Sequence, residues 1–256
     1  MLKGGFVTVE MRGACAWVAL DRPPLNLMVP EMVQGLRSAF DALRRDPAVR
    51  AAVVTGRGKV LTGGMQLQVL RDFTAAKAKA FITRLHEAIH SVHEAPFPTV
   101  CMINGPCLGA GLELAMACDL RTAAADAQMG LPEIKVGIPS VIEAALLPGL
   151  IGPGRAAEYL FTGESITARQ ALEWGLVNRV APADQLERVT AELVGRILEC
   201  APTAVRLQKK LIVRWRNAGQ RAAIASGINV LAQAYATDEP QEAMRAFLEK
   251  RKPRFG

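Results

Sequence analysis

Two glutamates and a glycine-rich turn are the residues of this chain best equipped for chemistry. Glu113 lies within GPCLGAGLELAMACD (105–119), where a strand gives way to a helix expected to begin near Leu112. The first N–H groups of a helix have no internal partner and sit at the positive end of its dipole. An amide there, such as that of Ala110, can hold an anion or a developing oxyanion. Twenty residues on, Glu133 falls in the apolar, Gly/Pro-kinked stretch MGLPEIKVGIP (129–139). Two carboxylates in one apolar pocket titrate as a coupled pair, one readily ionised and one holding its proton. That is equipment for simultaneous general base and general acid work. On residues alone a plainer alternative stays open: glycines that only permit tight packing, Glu113 favoured by the helix dipole, and Glu133 on a surface loop.

Other chemistry-bearing residues point to structure. Glu143 is a third carboxylate, but Ser140-x-x-Glu143 reads as a capping box opening the next helix. His86, His90 and His93 share one helical face, accompanied only by Glu87 and Glu94, so a solvated or subunit-facing stripe is expected and no metal. Cys107 and Cys118 read as small core residues, and Asp119 as structural. The five cysteines form no C-x-x-C pair, which fits neither a disulfide framework nor a zinc ribbon. There is no G-x-x-x-x-G-K-[ST] and no G-x-S-x-G. Gly109-x-Gly111 is not a dinucleotide fingerprint, because Leu114 holds the third glycine place.

These residues need a scaffold. Phe6–Val9 and Ala16–Leu20 read as a hairpin, Pro30 to about Arg45 as a helix with apolar Met32, Leu36, Phe40 and Leu43, and 51–54 as a buried strand. Residues 75–94 read as helical and 98–103 as another buried strand. Alternating strand and helix argues for α/β. After about residue 150 strand signals stop, and helices are expected near 154–161, 167–174, 185–199, 203–216, 219–236 and 239–250. The expected layout is an α/β body over 1–195 and a helical region over 196–256.

Composition agrees with a packed enzyme-sized chain: 256 residues, 50% hydrophobic and 21% charged, which excludes general disorder. No apolar run is long enough to span a bilayer, and MLKGGFVTVE lacks a leader's apolar stretch, so a reduced, cytoplasmic setting is expected. The net charge of +7 sits wholly in residues 201–256, with 11 Lys+Arg against 4 Asp+Glu. An anionic partner follows: nucleic acid, a phosphate-bearing ligand, or an acidic face of another subunit.

The motifs, taken in order, resemble those of the crotonase superfamily, the enoyl-CoA hydratases and isomerases, over essentially the whole chain. Asp21-Arg22-Pro23 resembles its N/D-R-P turn. KVLTGGMQL (59–67) resembles F-x-A-G-x-D-[LI], with Gln66 in place of the aspartate. Asn104-Gly105-x-x-x-Gly109-Ala110-Gly111-x-Glu113-Leu-Ala resembles N-G-x-x-x-G-G-G-x-E-L-A, and Pro132-Glu133-Ile-x-x-Gly137 resembles P-E-[IV]-x-x-G. Leu160-x-x-Thr-Gly163, Ala168-x-x-Ala171-x-x-x-Gly175-Leu-Val and FLEKRKPRF (247–255) complete the series. After Pro139 the chain departs, reading SVIEAA for the glycine-rich G-A-G-G-T.

The resemblance implies an α/β crotonase spiral of repeated ββα units, with a C-terminal helical trimerisation region giving a homotrimer or a dimer of trimers. It implies hydration of a trans-2-enoyl-CoA by Glu113 and Glu133, with the backbone N–H groups of Met65 and Ala110 as oxyanion hole. It places substrate or CoA contacts at Pro24, Leu25, Leu27, Gly63, Gly64, Gln66, Leu67, Cys107, Gly109, Pro132, Gly137, Glu143 and Lys250. No cofactor is implied beyond the coenzyme A thioester that is the substrate. An isomerase moving a double bond, a hydrolase or a decarboxylase are the alternatives. Some relatives bind RNA, but the basic helices carry only the isolated aromatics Trp215 and Tyr235, so nucleic acid is not the expected partner. The basic C-terminal residues, Lys250 to Lys252 among them, are expected near the CoA phosphates, across a subunit boundary or within one subunit.

Overall fold

A computed structural model describes residues 2–255. Its strands are β1 (Leu2–Gly4), β2 (Val7–Arg12), β3 (Cys15–Leu20), β4 (Ala51–Gly56), β5 (Thr99–Ile103), β6 (Cys107–Leu108), β7 (Leu120–Ala124), β8 (Gln128–Gly130), β9 (Ser165–Thr167) and β10 (Arg179–Ala181). The helices are α1 (Pro30–Leu43), α2 (Leu67–Leu70), α3 (Ala75–His93), α4 (Ala110–Ala117), α5 (Leu147–Ile151), α6 (Pro153–Thr162), α7 (Ala168–Glu173), α8 (Leu186–Leu198), α9 (Pro202–Asn217), α10 (Gln220–Ala234) and α11 (Glu239–Leu248), with 3₁₀ turns at Pro132–Val136 and Glu143–Leu146.

The main sheet runs β1-β2-β3-β4-β5-β7-β10, antiparallel through the opening hairpin and parallel from β3 onward. Every residue of β3, β4 and β5 is buried, as parallel strands covered on both faces require. A second sheet, β6-β8-β9, forms beside it. The strand signal therefore does not stop at residue 150. β9 and β10 are three-residue strands, too short to show alternation, and each is completed by pairing with β8 or β7. Helix α1 buries Met32, Leu36, Phe40 and Leu43 against the hairpin strands and α3. Pro30 at its first position needs no N–H partner there.

Helix α4 positions the site and is buried all round. It starts at Ala110, two residues before the sequence suggested, because Gly109 turns the chain abruptly into it. At its other end Arg121, itself buried, donates to the carbonyls of Ala115 and Cys118. These are orphan acceptors at the negative end of the helix, so a guanidinium is the natural cap.

The basic C-terminal quarter is not all surface. Lys209 of α9 is buried and donates to both oxygens of Asp119 at 2.7 Å, while Asp119 also accepts the N–H and Oγ1 of Thr99. Asp119 is thus structural, and the pair clamps α9 to the body. Removing one partner of a buried pair strands the other charge, so Lys209→Ala is expected to cost about 3–5 kcal/mol. Urea unfolding measures it, and a loss under about 1 kcal/mol would place the pair with ordinary surface bridges. Beyond α9, helices α10 and α11 leave Ile224, Ile228, Leu231, Tyr235, Phe247 and Leu248 exposed. Among the described residues no helix is long and apolar enough to cross a membrane.

Candidate active site

The segments Thr62–Met65 and Cys107–Ala110 run side by side. Thr62 bridges to Cys107, and the Leu108 N–H donates to the Thr62 carbonyl at 3.1 Å. Gly64 (φ +89°) and Gly109 (φ +55°) both adopt conformations that favour glycine, each just before a residue of interest. A Cβ on Gly109 would lie 2.7 Å from Glu133 Oε1, so a larger residue there would be strained by its φ and would displace that carboxylate. The turns leave the N–H groups of Met65 and Ala110 without an acceptor among the described residues. Both residues line one cavity of about 250 Å³, together with Glu113 and Glu133.

Asn26, which the sequence did not single out, sets the first of these segments. Fully buried, it donates to the carbonyls of Arg57, Val60 and Leu61 and accepts the Arg22 N–H. Thr62 Oγ1 donates to the Asn26 carbonyl at 2.7 Å and accepts the Gly64 N–H. The loop carrying Met65 is thereby fixed to the body by buried polar bonds, each costly to leave unmade.

Glu113 projects from the first turn of α4 and is only 4% exposed. Its Oε1 accepts the N–H groups of Ile142 (3.2 Å) and Ala144 (2.9 Å). Burial raises its carboxyl to about 7, the charges of Glu133 and Glu143 push the same way, and the two N–H bonds oppose them. Glu133 occupies the 3₁₀ turn Pro132–Val136, which Gly137 closes in the left-handed region (φ +81°). Its Oε2 accepts a hydrogen bond from Ser140 Oγ at 2.9 Å. The structure therefore turns Glu133 into the cavity and away from the surface-loop alternative. Leu70, Phe73, Phe81, Ile82 and Leu85 supply apolar walls. The sequence reading named none of them; the apolar spacing of the last three along α3 is the signal that could have found them.

Of the expected site residues, the cavity is lined by the four given catalytic or oxyanion roles, Met65, Ala110, Glu113 and Glu133, and by none of the expected substrate or CoA contacts. Leu25 and Leu27 pack against Gly63, whose N–H donates to the Leu25 carbonyl, and Pro24 precedes them on the same loop. Gln66 and Leu67 begin α2, with the Gln66 N–H on the Met28 carbonyl. One expectation, the capping box, is corrected, and Cys107 is the small core residue that its sequence suggested. The Cys107 thiol is fully buried in the core and its pKa is pushed up by that burial, so the side chain does not face the cavity. Ser140 bonds Glu133 and forms no capping box; Ile142 stands at the N-cap, and Glu143 is buried against His86. Lys250 is exposed past the end of α11 and outside the lining of this chain's own cavity, so of the two expected routes to the CoA phosphates it suits the one across a subunit boundary; its neighbour Arg251 is engaged by Glu242 and Glu249.

Comparison with known proteins agrees with this geometry. The family model for enoyl-CoA hydratase/isomerase matches residues 10–256. A putative enoyl-CoA hydratase of Thermus thermophilus is 37% identical over 97% of this chain and 100% of its own length. A crotonyl-CoA hydratase of Syntrophomonas wolfei is 33% identical over 97% of both chains. Among solved structures, Pseudomonas aeruginosa DspI superposes with a TM-score of 0.94 at 32% identity, covering 98% of this chain and 97% of that one. The superposition establishes the crotonase fold, and with it the chain belongs to the enoyl-CoA hydratase/isomerase family of enzymes.

Proposed function

We propose that this enzyme catalyses the reversible syn addition of water to a trans-2-enoyl-CoA. The observation that carries the reading is the convergence of two carboxylates and two unclaimed backbone N–H groups on one apolar-walled cavity. The thioester oxygen accepts from the N–H groups of Met65 and Ala110. One glutamate removes a proton from water as its oxygen attacks C3, and electron density moves to the thioester oxygen, where the two amides stabilise the enolate. The other glutamate delivers its proton to C2. The pair ends with its proton on the opposite member, and must exchange it before the next turnover.

An isomerase needs one carboxylate to carry a proton between two carbons, so a second carboxylate in the same cavity favours hydration. No cofactor enters the reading; coenzyme A arrives as part of the substrate. Self-association as a trimer or dimer of trimers belongs to the same proposal, with the exposed apolar residues of α10 and α11 as the surface.

A panel of trans-2-enoyl-CoAs of increasing chain length, followed by loss of the conjugated thioester absorbance, tests it. Glu133→Gln is expected to lower kcat/KM by about 10²-fold. Hydration of nothing in the panel, or full activity of Glu133→Gln, overturns the assignment. Conversion of 3-enoyl-CoA alone would transfer it to isomerisation.

A further inference from the structure

Fifty residues separate the histidine stripe of α3 from the departure after Pro139, yet the fold brings them together. His86 Nδ1 lies 2.8 Å from Glu143 Oε1. His90, one turn further along α3, completes a group whose ligand atoms all fall within 4.8 Å of one another. The glutamate of this group is 6% exposed, and its Oε2 has no hydrogen-bond partner among the described residues. A buried, unpartnered carboxylate oxygen is costly and calls for a cation or a donor. We propose that His86, His90 and Glu143 form a binding site for a divalent transition-metal ion of the zinc type.

The donor set decides the class. Two imidazoles and one carboxylate suit Zn²⁺ and its first-row neighbours, whereas Mg²⁺ and Ca²⁺ take oxygen ligands. With metal–ligand bonds of about 2.0–2.1 Å, tetrahedral ligands stand roughly 3.4 Å apart. Reaching that separation opens the 2.8 Å His86–Glu143 pair and draws in any wider spacing; the adjustment falls to the two imidazoles, which are about half exposed, while the carboxylate is buried. The ion replaces the proton shared by His86 and Glu143. Glu94 Oε1 lies 3.9 Å from His90 Nε2, near enough to close onto that ring as the outer partner that ligating histidines commonly have. Three protein ligands leave a fourth position to water. The site lies outside the cavity lined by Glu113 and Glu133, one residue before the Ala144 N–H that holds Glu113. Metal binding therefore stands or falls independently of the proposed hydration.

The test uses untagged, chelator-treated protein. Titration with Zn²⁺ in a calorimeter, and with Co²⁺ followed by its visible d–d bands, is expected to give one ion per chain with tetrahedral band intensity. His90→Ala, a change at a half-exposed position that leaves the fold intact, is expected to weaken binding by at least about 100-fold, and Glu94→Gln by about tenfold. No uptake of either ion by the wild type, octahedral Co²⁺ bands alone, or affinity unchanged in His90→Ala would overturn the proposal.

Discussion

Glu113→Gln is expected to lower kcat/KM for enoyl-CoA hydration by about 10³-fold or more, toward the upper range for loss of a positioned acid–base group. The amide keeps the size of the side chain and an oxygen for the N–H groups of Ile142 and Ala144, so the loop at 142–144 has no reason to move. What is lost is the proton. Burial holds this carboxyl at about 7, so up to neutral pH Glu113 retains a proton for C2. Above that pH Glu113 is ionised and has no proton to give, and wild-type kcat/KM should fall with an inflection near 7. The same shift has a stability signature of definite sign. An unfolded glutamate ionises near 4.5, so below that pH neither state is charged and burial of the group is not penalised. As pH rises through the window from 4.5 to about 7, the folded state resists ionisation and the wild type loses stability. Glu113→Gln does not share that loss. It should match the wild type near pH 4.5 and exceed it by about 3 kcal/mol above pH 7. Urea unfolding at two pH values measures this; equal stabilities at pH 8 would show that burial does not strain this carboxylate.

The sequence foretold the meeting of Glu113 and Glu133 in one pocket better than it foretold what surrounds them. Glu113 and Glu133 stand out because a carboxylate among Leu, Ala, Met and Pro demands a reason, and the motif order supplied one. The glycines at 64 and 109 were legible as turns, and the structure adds that each precedes a cavity-lining residue whose N–H has no acceptor among the described residues. Asn26 was not legible, because its four bonds go to backbone groups of which three lie more than thirty residues away. Glu143 misled for a related reason. Ser140-x-x-Glu143 is a local pattern, but Ser140 Oγ bonds Glu133 and His86 claims Glu143, so long-range contacts override the cap. The basic quarter shows the same limit. Counted as charge, Lys209 belonged to a surface for anions; folded, it is a core residue holding Asp119. Charge and spacing reveal what a residue can do, whereas its partner is fixed by topology.

Ala110→Pro is expected to lower kcat/KM by roughly 10²–10³-fold, the usual effect of deleting one oxyanion donor. Proline removes the single group proposed to act there, the N–H, and its ring carbon would occupy the space the thioester oxygen needs. The fold should tolerate the change. Ala110 is the first residue of α4, where proline's fixed φ suits a helix and the N–H has no intrahelical partner. Gly109, which precedes it with φ +55° and ψ −128°, carries no Cβ to clash with the ring. Ala110→Gly is the control, since it restores the residue the family motif carries and keeps the N–H; it should retain activity within a few-fold while costing about 0.5–1 kcal/mol in stability. The contrast separates backbone chemistry from side-chain chemistry. If Ala110→Pro folds with a wild-type unfolding midpoint and stays active, the Ala110 amide does not hold the oxyanion, and the Met65 N–H with an acid would have to carry the enolate. If both variants lose activity alike, the alanine methyl matters for packing against the substrate. Only loss in the proline variant alone assigns the catalytic contribution to one N–H that the Gly109 turn leaves without an internal partner.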